Sequence, residues 1–146
     1  MIKSFKASIP DGGQDTIRLS TNNGLTGYKI NKLQVMPYQP GHTHNVEFVL
    51  QVFTVKRTTV PTATATVEFD DPTLLGVVYY QDGTSHAYPS STDVVFDHVV
   101  FNQDVFITLT DNEGTGICNY YLELEQVKLD VNEATVATLK DMRGTA

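Results

Sequence analysis

VVFDHVVFNQDVFITLTDNEGTGICNYYLELEQVKL, residues 94–129, holds the two most regular alternations in the chain. Val105, Ile107 and Leu109 alternate with Phe106, Thr108 and Thr110. Farther on, Cys118, Tyr120, Leu122 and Leu124 alternate with Asn119, Tyr121, Glu123 and Glu125. Successive side chains of an extended chain point to opposite faces, so a period of two marks strands with one face in a core and the other in water. The pattern therefore assigns Val105, Ile107, Leu109, Tyr120, Leu122 and Leu124 to the core. Between the runs, Asp111-Asn112-Glu113-Gly114-Thr115-Gly116 supplies residues that accept turn geometry, so the stretch reads as a central antiparallel hairpin. After Gln126 the apolar phase slips to Val127 and Leu129, the sign of a β-bulge or of the strand leaving its sheet.

Upstream, short alternating runs recur. Residues 2–9 (IKSFKASI) and 15–20 (DTIRLS) read as strands, stopped by Pro10-Asp11-Gly12-Gly13 and Thr21-Asn22-Asn23-Gly24. Thr26 to Met36 form a longer strand with a phase change near Asn31-Lys32. In residues 46–56, Val46, Phe48, Leu50 and Val52 share one face while Phe53 and Val55 join the other, as in a strand covered on both sides. Residues 64–69 and 74–80 add two strands, after a Thr/Ala-rich connection in which Pro61 excludes a central strand position. The end of the chain alone is helical in pattern. Asn132 is placed to cap a run from Glu133 to Arg143, with Val131 and Val136 as a hydrophobic staple and Gly144 as the stop. Such spacing predicts an all-β, two-sheet antiparallel β-sandwich with jelly-roll connections over residues 1–130, followed by a short C-terminal helical arm over 131–146.

A chain of 146 residues can bury a substantial single core. Its formal charge of −7 repels phosphate backbones and anionic lipids, which argues against nucleic-acid and membrane partners. The single cysteine, Cys118, excludes an intrachain disulfide and reads as a small buried thiol. The first residues lack the apolar run of a signal peptide, and no stretch has the length of a membrane helix, so synthesis in the cytoplasm is expected.

The sharpest chemical pattern is Gly41-His42-Thr43-His44-Asn45-Val46-Glu47. Two histidines two apart on a strand point to one side, and His98-Val99-Val100-Phe101-Asn102 loosely matches the later histidine pattern of cupin enzymes. Glu47 falls one residue too early and would face away from both imidazoles. His42, His44 and His98 are thus the candidate metal ligands, and the expectation is that no metal, no other cofactor and no catalytic residue is present. Asp111, Asn112 and Glu113 lack the spacing of a calcium loop and read as a turn. Tyr79, Tyr80, Tyr88, Tyr120 and Tyr121 raise the possibility of a surface glycan, although adjacent tyrosines on strands divide between core and surface.

FNQDVFITLTD followed by CNYYLELEQVKLDVNEATVATLKDMRG resembles the ending of small virion structural proteins of tailed marine bacteriophages. TGYKINKLQVM, EFVLQVFTV, VEFDDPTLLGVVYYQD and YPSSTDVVFDHVVFNQD resemble the same family, which extends the likeness over nearly the whole chain except the His-Thr-His segment. The resemblance implies a non-enzymatic decoration or cement subunit of the virion head, partnered by the major capsid protein or other virion subunits and by further copies of itself. A tail, neck or fibre-associated subunit, a glycan-binding module and a cupin-like metal enzyme are the alternatives. Val136, Leu139 and Met142, one stripe of the terminal helix, are the expected assembly contacts.

Overall fold

The inward faces of the two regular runs are both buried, but they belong to different sheets. The computed structural model describes residues 1–19, 24–39, 45–57, 66–82, 90–96, 99–113 and 116–143, without the side chains of residues 90 and 140–143. Eight strands and one helix follow in order: β1 (Ile2–Pro10), β2 (Gln14–Ile17), β3 (Thr26–Pro37), β4 (Val46–Phe53), β5 (Leu74–Asp82), β6 (Ser90–Val95), β7 (Val105–Asp111), β8 (Ile117–Lys128) and α1 (Val131–Arg143). All pairings are antiparallel. One sheet has the order β1-β8-β3 and the other β2-β7-β4-β5-β6, so the chain is an all-β two-sheet sandwich with one short helix.

The expected hairpin between β7 and β8 is not formed. β7 pairs with β2 and β4, whereas β8 lies between β1 and β3 in the opposite sheet. Alternation reports which side of a strand is dry; it carries no information on the neighbour, and two strands facing each other across a sandwich alternate as well as two strands side by side. The winding is that of a jelly roll, in which strands nest as first with last, second with seventh and fourth with fifth. The remaining pair, third with sixth, is replaced: β6 folds back on β5, and among the described residues the free side of β3 forms a bridge with Phe101. Tyr28 and Phe101 exchange both backbone bonds there, at 2.7 and 2.9 Å.

Ile30, Leu33, Leu122 and Leu124 from the smaller sheet pack in one cluster with Leu50, Val52, Ile107 and Leu109 from the larger. A bulge at Asn31 lets β3 keep Ile30 and Leu33 inside despite their odd spacing, and this is the phase change visible in the sequence. Gly76 of β5 lies beneath them; a Cβ there would stand 3.4 Å from Leu33 Cδ2 and 3.8 Å from Ile30 Cδ1, so its lack of a side chain brings the two layers close.

The outer faces differ. Thr108 and Thr110 of β7, expected in water, are buried, as are Val49, Gln51, Phe53 and Val77 on the neighbouring strands. Over Gln51 and Phe53 the chain itself forms the cover. Thr54 N–H donates to the Thr73 carbonyl, Gln51 Nε2 donates to the Thr66 carbonyl, and Arg57 stacks 4.3 Å from the Phe53 ring centre while pairing with Asp71 at 3.3 Å. Gln14 holds this cover by bonding both the N–H and the C=O of Arg57. Residues 66–69 belong to the cover and are not a strand, contrary to the sequence pattern, because β4 already has β5 and β7 on its two sides; residues 64–65 lie outside the described part. The outer face of β1-β8-β3 is polar and wet, with Lys29 on Glu125 at 3.1 Å and Ser8 on Asn119 at 2.7 Å.

The register of β8 is open to a direct test. Leu122→Ala and Leu124→Ala should each destabilise the isolated chain by about 2–5 kcal/mol, because each empties a fully buried site. Glu123→Ala and Glu125→Ala should each cost under about 1 kcal/mol, since the Lys29–Glu125 pair is solvent-exposed. Urea denaturation of the four variants measures both, and equal losses from both pairs would place the wrong face inward.

Candidate functional site

The sequence β8–α1 turns at Leu129-Asp130, and the helix it launches closes one end of the sandwich. The cap is Asp130, two residues before the expected Asn132. Its Oδ1 accepts the Glu133 N–H at 2.7 Å, and the Glu133 carboxylate reaches back to the Asp130 N–H at 3.5 Å, a reciprocal capping box. The donated bonds, led by that from the Glu133 backbone, hold the Asp130 carboxyl below its ordinary range. Val131 and Val136 do not form the expected staple, as both are exposed.

The helix docks through small residues. Ala134 and Ala137 are buried with Leu129, and Leu25, Val100 and Val127 pack at the margin. The contact is fixed by Asn102, whose side chain is wholly withdrawn from water. Its Nδ2 donates to Thr138 Oγ1 at 2.7 Å and to the Gly24 carbonyl at 3.0 Å, with the Ala134 carbonyl at 3.3 Å. Gly24 takes a φ of +65°, and a Cβ there would stand 3.1 Å from that nitrogen, so the loop approaches closely only as glycine. One amide thus joins the β2–β3 loop, the approach to β7 and the helix.

What this docking leaves outside is apolar. Val131 is 70% exposed, Val136 67% and Leu139 55%, each above half, so the larger aliphatic side chains of α1 point to water while its alanines point inward. A shallow groove of about 360 Å³ runs beside Leu25, Val131, Ala134 and Leu139. Val136 and Leu139 therefore stand free for contact, whereas the Met142 side chain lies outside the described residues.

His42, His44 and His98, together with Tyr88, lie outside the described residues. Among the described residues no group of three or more His, Cys, Asp or Glu side chains could hold a metal ion. Asn102, matched in sequence to a cupin pattern, is the helix clamp. Asp111 organises the β7–β8 crossing: buried, it accepts the N–H groups of Glu47 at 3.1 Å, Glu113 at 3.0 Å and Gly116 at 2.9 Å. Neither role was legible from local pattern, although Asp-x-x-Glu at 130–133 was a visible cap.

Among the described residues, Tyr79, Tyr80, Tyr120 and Tyr121 form no common platform. Tyr120 is buried and donates to Asp15 at 2.9 Å, and burial, reinforced by that carboxylate, pushes its phenol up. Tyr80 stacks on Phe48 inside the rim, Tyr79 sits on the opposite face of β5, and Tyr121 lies on the outer face of the other sheet beside Glu123. Cys118 is buried and its thiol is pushed up to about 12, chiefly by loss of hydration. Among the described residues no helix is long and apolar enough to cross a membrane. No protein-family model matches the chain, and no curated protein matches it either.

Removing the clamp should loosen α1 before the sheets. Asn102→Ala leaves the Gly24 carbonyl and Thr138 hydroxyl without their donor, at about 1–3 kcal/mol per buried group. Hydrogen exchange should show protection lost across residues 131–143 and kept in β8.

Alkali gives a second check. The unfolded Cys118 thiol ionises near 9.0 and the folded one near 12, so the folded chain holds a proton that the unfolded chain has released. Its contribution to stability is complete below about pH 9 and is lost as pH rises toward 12. Tyr120 acts in the same direction. Cys118→Ala should flatten the fall in stability between those limits, and the native thiol should react with a disulfide reagent at pH 8 far more slowly than the unfolded one.

Proposed function

We propose that the protein is a non-enzymatic virion subunit, a capsid decoration or cement protein that attaches to the phage head through the exposed face of α1. The observation that carries the reading is the orientation of that helix: Val131, Val136 and Leu139 are wet while Ala134 and Ala137 are buried. Covering an aliphatic side chain of this kind gains about 1.5–3 kcal/mol, so three repeated over many subunits supply substantial attachment without any bond-making step. The resemblance of residues 101–111 and 118–144 to virion structural proteins supports the same reading. The partner is the major capsid protein or an adjoining virion subunit, and the protein resides in the particle.

The test uses the helix surface, because deleting α1 would also uncover Leu129. Val136→Asp with Leu139→Asp should leave the melting temperature of the isolated chain within a few degrees of the parent and abolish its co-sedimentation with purified particles. Normal co-sedimentation would defeat the assignment of this face. Copy number by mass spectrometry of the particles then separates the head from the alternative tail, neck or fibre position: hundreds of copies fit a shell subunit, and a dozen or fewer fit the tail.

A further inference from the structure

Among the described residues, four strands have a side without a strand neighbour: β1, β2, β3 and β6. An unpaired side is a row of N–H and C=O groups that another strand can read, and stable folds blunt such rows with bulges, proline, inward charges or brevity. Three of the four are blunted. β2 has four residues, β3 carries the Asn31 bulge and the Phe101 bridge, and β6 turns Asp93 toward the inner side at its register with Val78.

β1 differs. It pairs with β8 over nine consecutive residues without a shift, and its only proline is the last residue. Gln126 N–H donates to the Met1 carbonyl at 2.8 Å, so Met1 directs its backbone toward β8. Backbone direction alternates along a strand, which turns Lys3, Phe5, Ala7 and Ile9 toward β8 as well and leaves the N–H and C=O of Ile2, Ser4, Lys6 and Ser8 on the open side. No described residue bonds to that side. Ile2, Ser4, Lys6 and Ser8 are all exposed, and Phe5 is only partly buried.

We propose that this edge pairs with β1 of a second copy, antiparallel about a two-fold axis at Phe5, joining two three-stranded sheets into one continuous sheet. The inference stands on the fold and does not depend on the attachment reading above. The register follows from the side chains. With Phe5 opposite the partner copy's Phe5, the four outward residues pair as Ile2 with Ser8 and Ser4 with Lys6, each twice by symmetry, for about eight backbone bonds. Phe5 then gains an aromatic neighbour on the inner side, and Lys3 meets Ala7. Lysine never faces lysine. On the outer face Ser4 lies between Glu123 of its own β8 and the second copy's Lys6, a small residue separating opposite charges. Shifting the axis to Lys6 would set the two Lys6 ammonium groups against each other, which excludes that neighbour register.

Sedimentation equilibrium of the full chain should show a reversible dimer. Lys6→Pro removes an N–H that points away from β8 and leaves the internal ladder whole, so the variant should keep its melting temperature within a few degrees and weaken dimerisation at least tenfold. Phe5→Cys tests the axis. Directly opposed residues of a non-hydrogen-bonded antiparallel pair have Cα atoms about 4.5 Å apart, within disulfide reach, so mild oxidation should cross-link Phe5→Cys into a dimer and leave Ala7→Cys uncross-linked. A chain that remains monomeric at millimolar concentration overturns the proposal. So does a dimer unaffected by Lys6→Pro, or cross-linking of Ala7→Cys in place of Phe5→Cys.

Discussion

Leu122 and Leu124 are withdrawn completely from water because a second sheet lies over them, and nearly every other feature follows from holding that second sheet in place. β8 supplies the middle of the smaller sheet, and the larger sheet answers with Leu50, Val52, Ile107 and Leu109. The chain must therefore switch layers repeatedly: after β1, after β2, after β3 and again after β7. Each switch breaks a ladder and strands backbone polar groups that burial would make costly. The bulge at Asn31 and the absent side chain of Gly76 are local concessions that let the layers meet closely.

Two buried side chains that satisfy such groups bracket β7. Asp111 at its end takes two backbone N–H groups of the crossing into β8 and that of Glu47 in β4, and Asn102 just before its start gives its amide protons to the Gly24 loop and to α1. A buried polar group left without partners would destabilise the fold by about as much as a lost core methylene or more. Both positions are thus strongly determined by partners distant in sequence. Asn102 meets Gly24 across 78 residues, and Asp111 meets Glu47 across 64.

That distance explains what could be read beforehand. The inner face of β8 was legible because one-sided burial writes itself into neighbouring residues. So was the β3 bulge, since Ile30 and Leu33 break the period where Asn31 is inserted. Thr108 and Thr110 were misread because both faces of β7 are buried, and alternation within a strand records the polarity of its side chains but not a cover that the rest of the chain supplies. The hairpin was misread for a related reason: faces are encoded locally and neighbours are not. At α1 the cap was local but was displaced, since the alanines that actually dock, Ala134 and Ala137, are weakly hydrophobic and the eye follows Val136 and Leu139.

That inversion bears on what the helix is for. A helix that served only to close its own domain would turn its larger aliphatic side chains inward, where each gains about 1.5–3 kcal/mol, and leave alanine outside. α1 does the reverse and compensates with a polar clamp and a capping box. Alanines allow it to sit close over Leu129, and Asn102 fixes its rotation, so Val136 and Leu139 are held outward on a positioned surface rather than a loose arm. Pre-positioning lowers the ordering cost that a flexible segment would incur on attachment. A face that is both apolar and fixed favours docking over packing.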